Sequence, residues 1–373
     1  MERYSNPDII YSYKYEAVSH SLLDKVFRHW LNYAFRFVPP RMSANLLSMI
    51  GNVGSWFALW LMILFGDSSS PRIRILFGIA SFSVFFYHTV DNLDGKQARR
   101  LGCYGPLGEF VDHWFDSFNA FFFPLGAIAI FPSVPFSWAV GLIVLSTVAD
   151  WIVLREACKT NRMYFGPIST DEGIAVYWLF LFAIFLLGRD FWAHPHPALG
   201  FPPCLLVFPC YGIALIATIV MTLVKNRFLG FAHALIELVF FVPVVCWILA
   251  AKPILGYRFA LISGLLLIGF IGSRHIGDLL RARLVGLEYP AFYPDLVVYS
   301  LAVLAVSVLS LAGVRLPRWL VVFPAVVLFV DTAHALVLQF LRTVRRVYDC
   351  LGITLFSFPD TEKVAVVEAY PGK

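Results

Sequence analysis

Four aspartates, Asp91, Asp94, Asp112 and Asp116, interrupt an otherwise lipid-like chain within the stretch DNLDGKQARRLGCYGPLGEFVDHWFD, residues 91–116. A charged side chain at the centre of a membrane helix costs roughly 2.5 to 3.5 kcal/mol, so such residues persist where something uses them. Their pattern is Asp-x2-Asp-Gly-x2-Ala-Arg-x8-Gly-x3-Asp-x3-Asp. The run ILFGIASFSVFFYHTV continues into it without a breaker, predicting one helix through the first half of the motif. Residues three, four and seven apart share a helical face. Asp91, Asp94, Gly95 and Ala98 then form one stripe, two carboxylates beside two positions where a ligand can approach the backbone closely. Arg99 is suited to phosphate or to bracing a carboxylate.

Gly102 and Gly105 mark a connector, and Pro106 fits the first turn of a second helix. On it Glu109, Asp112, His113 and Asp116 stand at i, i+3, i+4 and i+7, a single face. Carboxylates converging from two helices repel one another unless they are protonated or cations neutralise them. An all-oxygen donor set favours Mg²⁺ or Mn²⁺ over zinc. Two such ions would clamp a diphosphate and stabilise a leaving phosphate, with His113 or Asp116 placed to take a proton from an attacking hydroxyl. The competing reading is a set of helix-end charges paired with Lys96, Arg99 and Arg100. It suits one Asp-x2-Asp, but eight matched positions arise by chance on the order of once in 10⁹ starting points.

The elements that must carry these residues belong to a membrane protein. Of 373 residues 59% are hydrophobic and 14% charged, with a mean hydropathy of +0.75, against about 25% charged residues in soluble domains. Apolar runs of span length predict an all-α, polytopic membrane protein of about ten transmembrane helices, near 45–66, 73–98, 106–132, 134–155, 173–188, 204–224, 228–250, 258–283, 292–312 and 317–347. An amphipathic helix within 18–37 precedes them, with Leu22, Leu23, Val26, Phe27, Trp30, Leu31 and Phe35 along one face. It suits the headgroup interface or packing on the protein's own end. The chain reads as an N-terminal cytosolic segment (1–44), one membrane domain (45–347) and a cytosolic tail (348–373). Most of the 29 Lys and Arg residues fall on the side of both termini and the aspartates, which the positive-inside rule makes cytosolic. The net charge of +5 forms no patch of nucleic-acid size, so nucleic acid is not an expected partner. The N-terminal residues lack a cleavable signal pattern, and the six cysteines have no metal-site spacing.

At the aspartate motif the sequence resembles the CDP-alcohol phosphotransferase family, matching its signature at all eight fixed positions. The resemblance implies transfer of a substituted phosphate from a CDP-linked donor to an alcohol, with release of CMP. It makes Asp91, Asp94 and Asp112 metal ligands, Asp116 a ligand or base, and Gly95, Ala98, Arg99 and Gly108 nucleotide-pocket residues. Asn45, in MSANLL, resembles the family's Pro-Asn-x-Ile/Leu element, with Ala44 in place of the proline. Tyr13-Lys14-Tyr15, Ser21-Leu22-Leu23, GKQARR and PLGEFVDHWFD, including Glu109 and His113, are most similar to the choline and ethanolamine phosphotransferases. Ten spans and Glu172-Gly173 point the same way, although ISTDEG replaces the family's shorter Gly-Pro-x-Glu-Gly. That resemblance implies CDP-choline or CDP-ethanolamine as donor and diacylglycerol as acceptor. It also implies a homodimer in the endoplasmic reticulum or Golgi membrane, or the inner membrane of a bacterium.

Two other readings stand beside it: a CDP-diacylglycerol-dependent enzyme with a soluble alcohol acceptor, and a transporter using the acidic residues for coupling. His233 with Glu237, and Asp331 with His334, read as interhelical hydrogen-bonding pairs, and Arg274, His275 and Asp278 as a salt-bridged surface end. Asp150 and Glu156 read as bracketing a helix end.

Overall fold

Long apolar stretches in lipid leave the backbone no hydrogen-bond partner but itself, so the predicted spans carry helices where they are described. The computed structural model describes residues 6–14, 17–19, 23–103, 105–160, 163–165, 170–225, 238–290 and 292–356. After α1 (Leu23–Ala34) come α2 (Ala44–Phe65), α3 (Arg74–Leu101), α4 (Pro106–Ile130), α5 (Phe136–Thr160) and α6 (Thr170–Leu187). A short α7 (Arg189–Ala193) leads to α8 (Cys204–Lys225), α9 (Phe241–Leu255), α10 (Tyr257–Val285), α11 (Pro294–Leu311) and α12 (Arg318–Leu351).

Among the described residues, eight helices are long and apolar enough to cross a membrane: α2, α3, α5, α6, α8, α10, α11 and α12. The chain is thus an all-α, polytopic integral membrane protein. Two more of the predicted runs also carry helices. One is α4, 25 residues long but less apolar because it carries half of the acidic motif and Asn119. The other is α9, where 15 residues of the seventh predicted span are described; His233 and Glu237 lie outside the described residues.

The core is built around α4 and α10. α4 packs on α2, α5 and α10, while α10 also contacts α5, α9 and α12. Phe110, Phe118, Phe121 and Phe122 of α4 are buried: Phe118 and Phe121 pack edge-on or tilted against Phe270, Phe118 also meets Trp114, Phe122 meets both Phe118 and Phe121, and Phe110 meets Phe340 of α12. Close approach is possible because α10 offers glycines at these contacts: a Cβ at Gly269 would run into the Phe121 ring, and one at Gly272 would come within 2.8 Å of Thr147.

This packing overturns one expectation. Arg274, His275 and Asp278 are buried, 7%, 1% and 5% exposed, rather than forming a surface end. α10 continues to Val285 with α4, α5, α9 and α12 around it, so its polar stretch lies inside the bundle. Arg274 there binds Asp295 of α11 at 2.5 Å and Asp331 of α12 at 3.2 Å, and Asp278 accepts a hydrogen bond from Tyr293. Glu156 is likewise buried and paired with Lys225 of α8 at 2.8 Å.

The N-terminal segment is strapped across one end of the bundle. The Asn6 amide donates to the Gly286 carbonyl, Ile10 is buried, and β1 (Ala17–Ser19) pairs in parallel with β2 (Met163–Phe165). The Leu23 amide, first in α1, donates to Glu172 of α6 at 3.0 Å. α1 divides its apolar stripe. Leu31 is buried, Phe27 stacks on His88 and Trp30 donates to Thr89, while Val26, Tyr33 and part of Trp30 stay exposed.

Candidate active site

The geometry of the site starts with how α3 ends. Gly102 adopts φ +65°, a left-handed conformation that favours glycine, and the Cys103 amide closes on the Ala98 carbonyl. The chain turns through Gly105, and Pro106 opens α4, where a missing N–H costs nothing. The two motif halves therefore face each other on adjoining helices.

Ligand-capable atoms of Asp91, Asp94 and Asp112 lie within 4.8 Å of one another, and so do those of Asp112, His113 and Asp116. Asp112 belongs to both groups. Asp91, Asp112, His113 and Asp116 are half-buried and Asp94 is buried, so the carboxylates crowd where water screens them poorly. No Lys or Arg side chain pairs with any of the four among the described residues. One oxygen of Asp91 is buried with no hydrogen-bond partner. Uncompensated carboxylates, an orphaned oxygen and an all-oxygen core together fit hard divalent cations.

His113 Nδ1 lies 4.0 Å from Asp112 and 3.8 Å from Asp116, and its Nε2 is buried without a partner. Tyr87 donates to Asp116 at 2.7 Å, and Ser48 of α2 donates to Asp94. Arg99 is exposed and its guanidinium lies over Gly95, 3.7 Å from where a Cβ would stand. Gly108 faces Asn45, whose Oδ1 would be 3.6 Å from a Cβ there, and Asn45 donates to the Leu355 carbonyl at 3.0 Å. Ala98 is half-buried, one turn beyond Asp94. Glu109 stands apart from both ligand groups: it is buried, bound by Arg283 of α10 and by the Tyr13 hydroxyl at 2.5 Å.

Residues that motif reading missed surround this centre. Tyr87 lies four residues before Asp91 on the same stripe, a signal present in the spacing. Ser48, Asn52 and Ser55 continue from the already expected Asn45 as a polar stripe in apolar α2 at helical spacing; Ser55 and Asn52 both bind Asn119 of α4, tying α2 to the motif helix. Arg283 had no local signal, being 174 residues from Glu109.

A membrane bundle carrying this acidic pattern on two adjoining helices defines a class of lipid-pathway transferase. The family model of CDP-alcohol phosphatidyltransferase matches residues 41–240, more than half of the chain, which belongs to that family. CDP-alcohol phosphatidyltransferase class-I family protein 2 of Dictyostelium discoideum, itself uncharacterized, is 25% identical over 362 residues, 93% of this chain and 85% of that one. Family protein 3 of the same organism is 30% identical over 188 residues, 48% of this chain and 46% of its own. Cholinephosphotransferase 1 of Danio rerio is 26% identical over 208 residues, 54% and 53% of the two chains. The chain thus spans about half the length of the cholinephosphotransferases it matches.

Proposed function

We propose that this protein transfers phosphocholine or phosphoethanolamine from the CDP-linked donor to diacylglycerol, yielding a phospholipid and CMP. The observation that carries the reading is the pair of ligand groups sharing Asp112, with the free Nε2 of His113 beside them. Similarity to cholinephosphotransferases supports the donor class.

Asp91, Asp94, Asp112 and Asp116 would hold two Mg²⁺ or Mn²⁺ ions, which when bound offset the diphosphate charge and the charge on departing CMP. Gly95 and Ala98 let the nucleotide lie against α3, Gly108 and Asn45 border it from α4 and α2, and Arg99 reaches its phosphate. The acceptor enters from the bilayer. His113 takes the hydroxyl proton at Nε2, and its imidazolium is stabilised by Asp112 and Asp116. The hydroxyl oxygen bonds to the phosphorus nearer the alcohol group as the bond from that phosphorus to the CMP oxygen breaks. Glu109, gripped by Arg283 and Tyr13, fixes the first turn of α4 and so the aim of Asp112 and His113. The positive-inside pattern supports a cytosolic side for this end of the bundle, where a charged nucleotide is found.

Purified protein in nanodiscs, supplied with Mn²⁺, diacylglycerol and labelled CDP-choline or CDP-ethanolamine, should release CMP and form labelled phospholipid. Turnover only with CDP-diacylglycerol and a soluble alcohol would overturn the reading, and solute uptake without CMP release would replace it with a carrier.

A further inference from the structure

The buried and half-buried carboxylates outside the two ligand groups have partners: Glu172 accepts from the Leu23 amide, Asp67 meets Arg258, and the others meet basic side chains. Glu109 meets Arg283, Glu156 meets Lys225, Asp171 meets His88, Asp278 meets Arg281, and Asp295 and Asp331 share Arg274. Among the described residues Asp150 of α5 breaks this rule. It is half-buried, its Oδ2 is sealed from solvent, and that oxygen has no hydrogen-bond partner. Among the described residues, the charged groups in electrostatic reach of it are Asp116, which repels a negative charge there, and His113. Asp150 stands one turn beyond Ser146 and Thr147, and Thr147 contacts Gly272 of α10. α5 packs against both α4 and α10, so Asp150 approaches the acidic centre from a third helix while belonging to neither ligand group.

A charged carboxylate sealed beside other carboxylates is costly, so Asp150 holds its charge only when a cation reaches it and otherwise takes up a proton. Among the described residues no lysine or arginine meets it. The reaction proposed above brings its own cation: the donor's ammonium nitrogen is joined by two carbons and an oxygen to the phosphorus under attack. Its tether keeps that charge close to the metal-binding aspartates. We infer that Asp150 is the counter-charge for the ammonium of the donor's headgroup, and so selects aminoalcohol donors over uncharged ones. The assignment rests on the donor reading given above.

The test compares CDP-choline and CDP-ethanolamine with CDP-3,3-dimethylbutanol, in which a carbon replaces the choline nitrogen and the charge is gone. Wild type should favour the charged donors in kcat/KM, and Asp150→Asn and Asp150→Ser should each lower that preference at least about tenfold, mainly through KM. CMP binding and the thermal midpoint, followed for both variants, report whether the fold and the nucleotide pocket survive, and either folded variant decides the matter. If wild type turns over aminoalcohol donors but shows no preference for charge, or if its preference persists in a folded variant, the role of Asp150 is overturned while the donor reading stands. If wild type uses CDP-diacylglycerol alone, the donor reading falls and the role of Asp150 with it.

Discussion

The guanidinium of Arg283, near the end of α10, closes on the carboxylate of Glu109 in the first turn of α4, and both side chains are almost wholly buried. Asp112 and His113 follow within about one turn, so the start of the motif helix is anchored by a residue far along the chain. Removing one member of a buried pair leaves the other charge unpaired, a loss of about 3–5 kcal/mol. Arg283→Met should therefore lower the thermal midpoint in detergent sharply, and Arg283→Met combined with Glu109→Gln should recover part of the loss. A double variant as unstable as the sum of the two singles would contradict the pairing.

Asp112 is common to both groups of ligand atoms, whereas Asp91 belongs to one. Asp112→Asn should weaken Mn²⁺ binding, read by electron paramagnetic resonance, more than Asp91→Asn does. Both should cut CMP release by roughly 10² or more, in line with losing a group that stabilises transition-state charge. Chelation of wild type should abolish turnover and added Mn²⁺ should restore it; activity that survives chelation would refute metal dependence.

His113 and Asp116 separate by what each variant loses. His113→Gln should reduce kcat by roughly 10²–10⁴, the usual contribution of a general base, with Mn²⁺ affinity nearly unchanged. Asp116→Asn should lose affinity and turnover together. If His113→Gln instead abolishes metal binding while turnover per bound metal holds, His113 is a ligand and the base lies elsewhere.

Where Gly269 meets the ring of Phe121, α10 and α4 are too close for a methyl group. Gly269→Ala should destabilise the protein by about 1–3 kcal/mol, the common cost of overpacking, and Phe121→Leu in the same chain should relieve it. Thermal unfolding of the single and double variants reads this directly, and an unchanged midpoint in Gly269→Ala would show that the helices can part freely.

Much of the site was legible because its logic is local. Asp91, Asp94, Gly95 and Ala98 lie on one turn-to-turn stripe, as do Asp112, His113 and Asp116, and helical periodicity alone put each set on a face. Gly102 and Pro106 foretold where α3 would stop and α4 begin, since one tolerates a positive φ and the other lacks an N–H. The spans were legible for a related reason: in lipid an apolar run can satisfy its backbone only as a helix.

What the chain could not disclose locally depends on which helices become neighbours. Arg274, His275 and Asp278 read as a surface end because their burial comes from surrounding helices rather than from their own sequence. Glu109 shares a helical face with Asp112, His113 and Asp116, but only the fold brings Tyr13 and Arg283, on either side of it in sequence and far from it, onto its two oxygens. Asp150 looked like a helix-end charge, and only the packing of α5 against α4 and α10 brought it beside Asp116 and His113. The amino-acid sequence determined the helices, their faces and the acidic motif, which follow from interactions a few residues apart. The tertiary structure decided which charges are paired and which are not, because burial and pairing are properties of the assembled bundle.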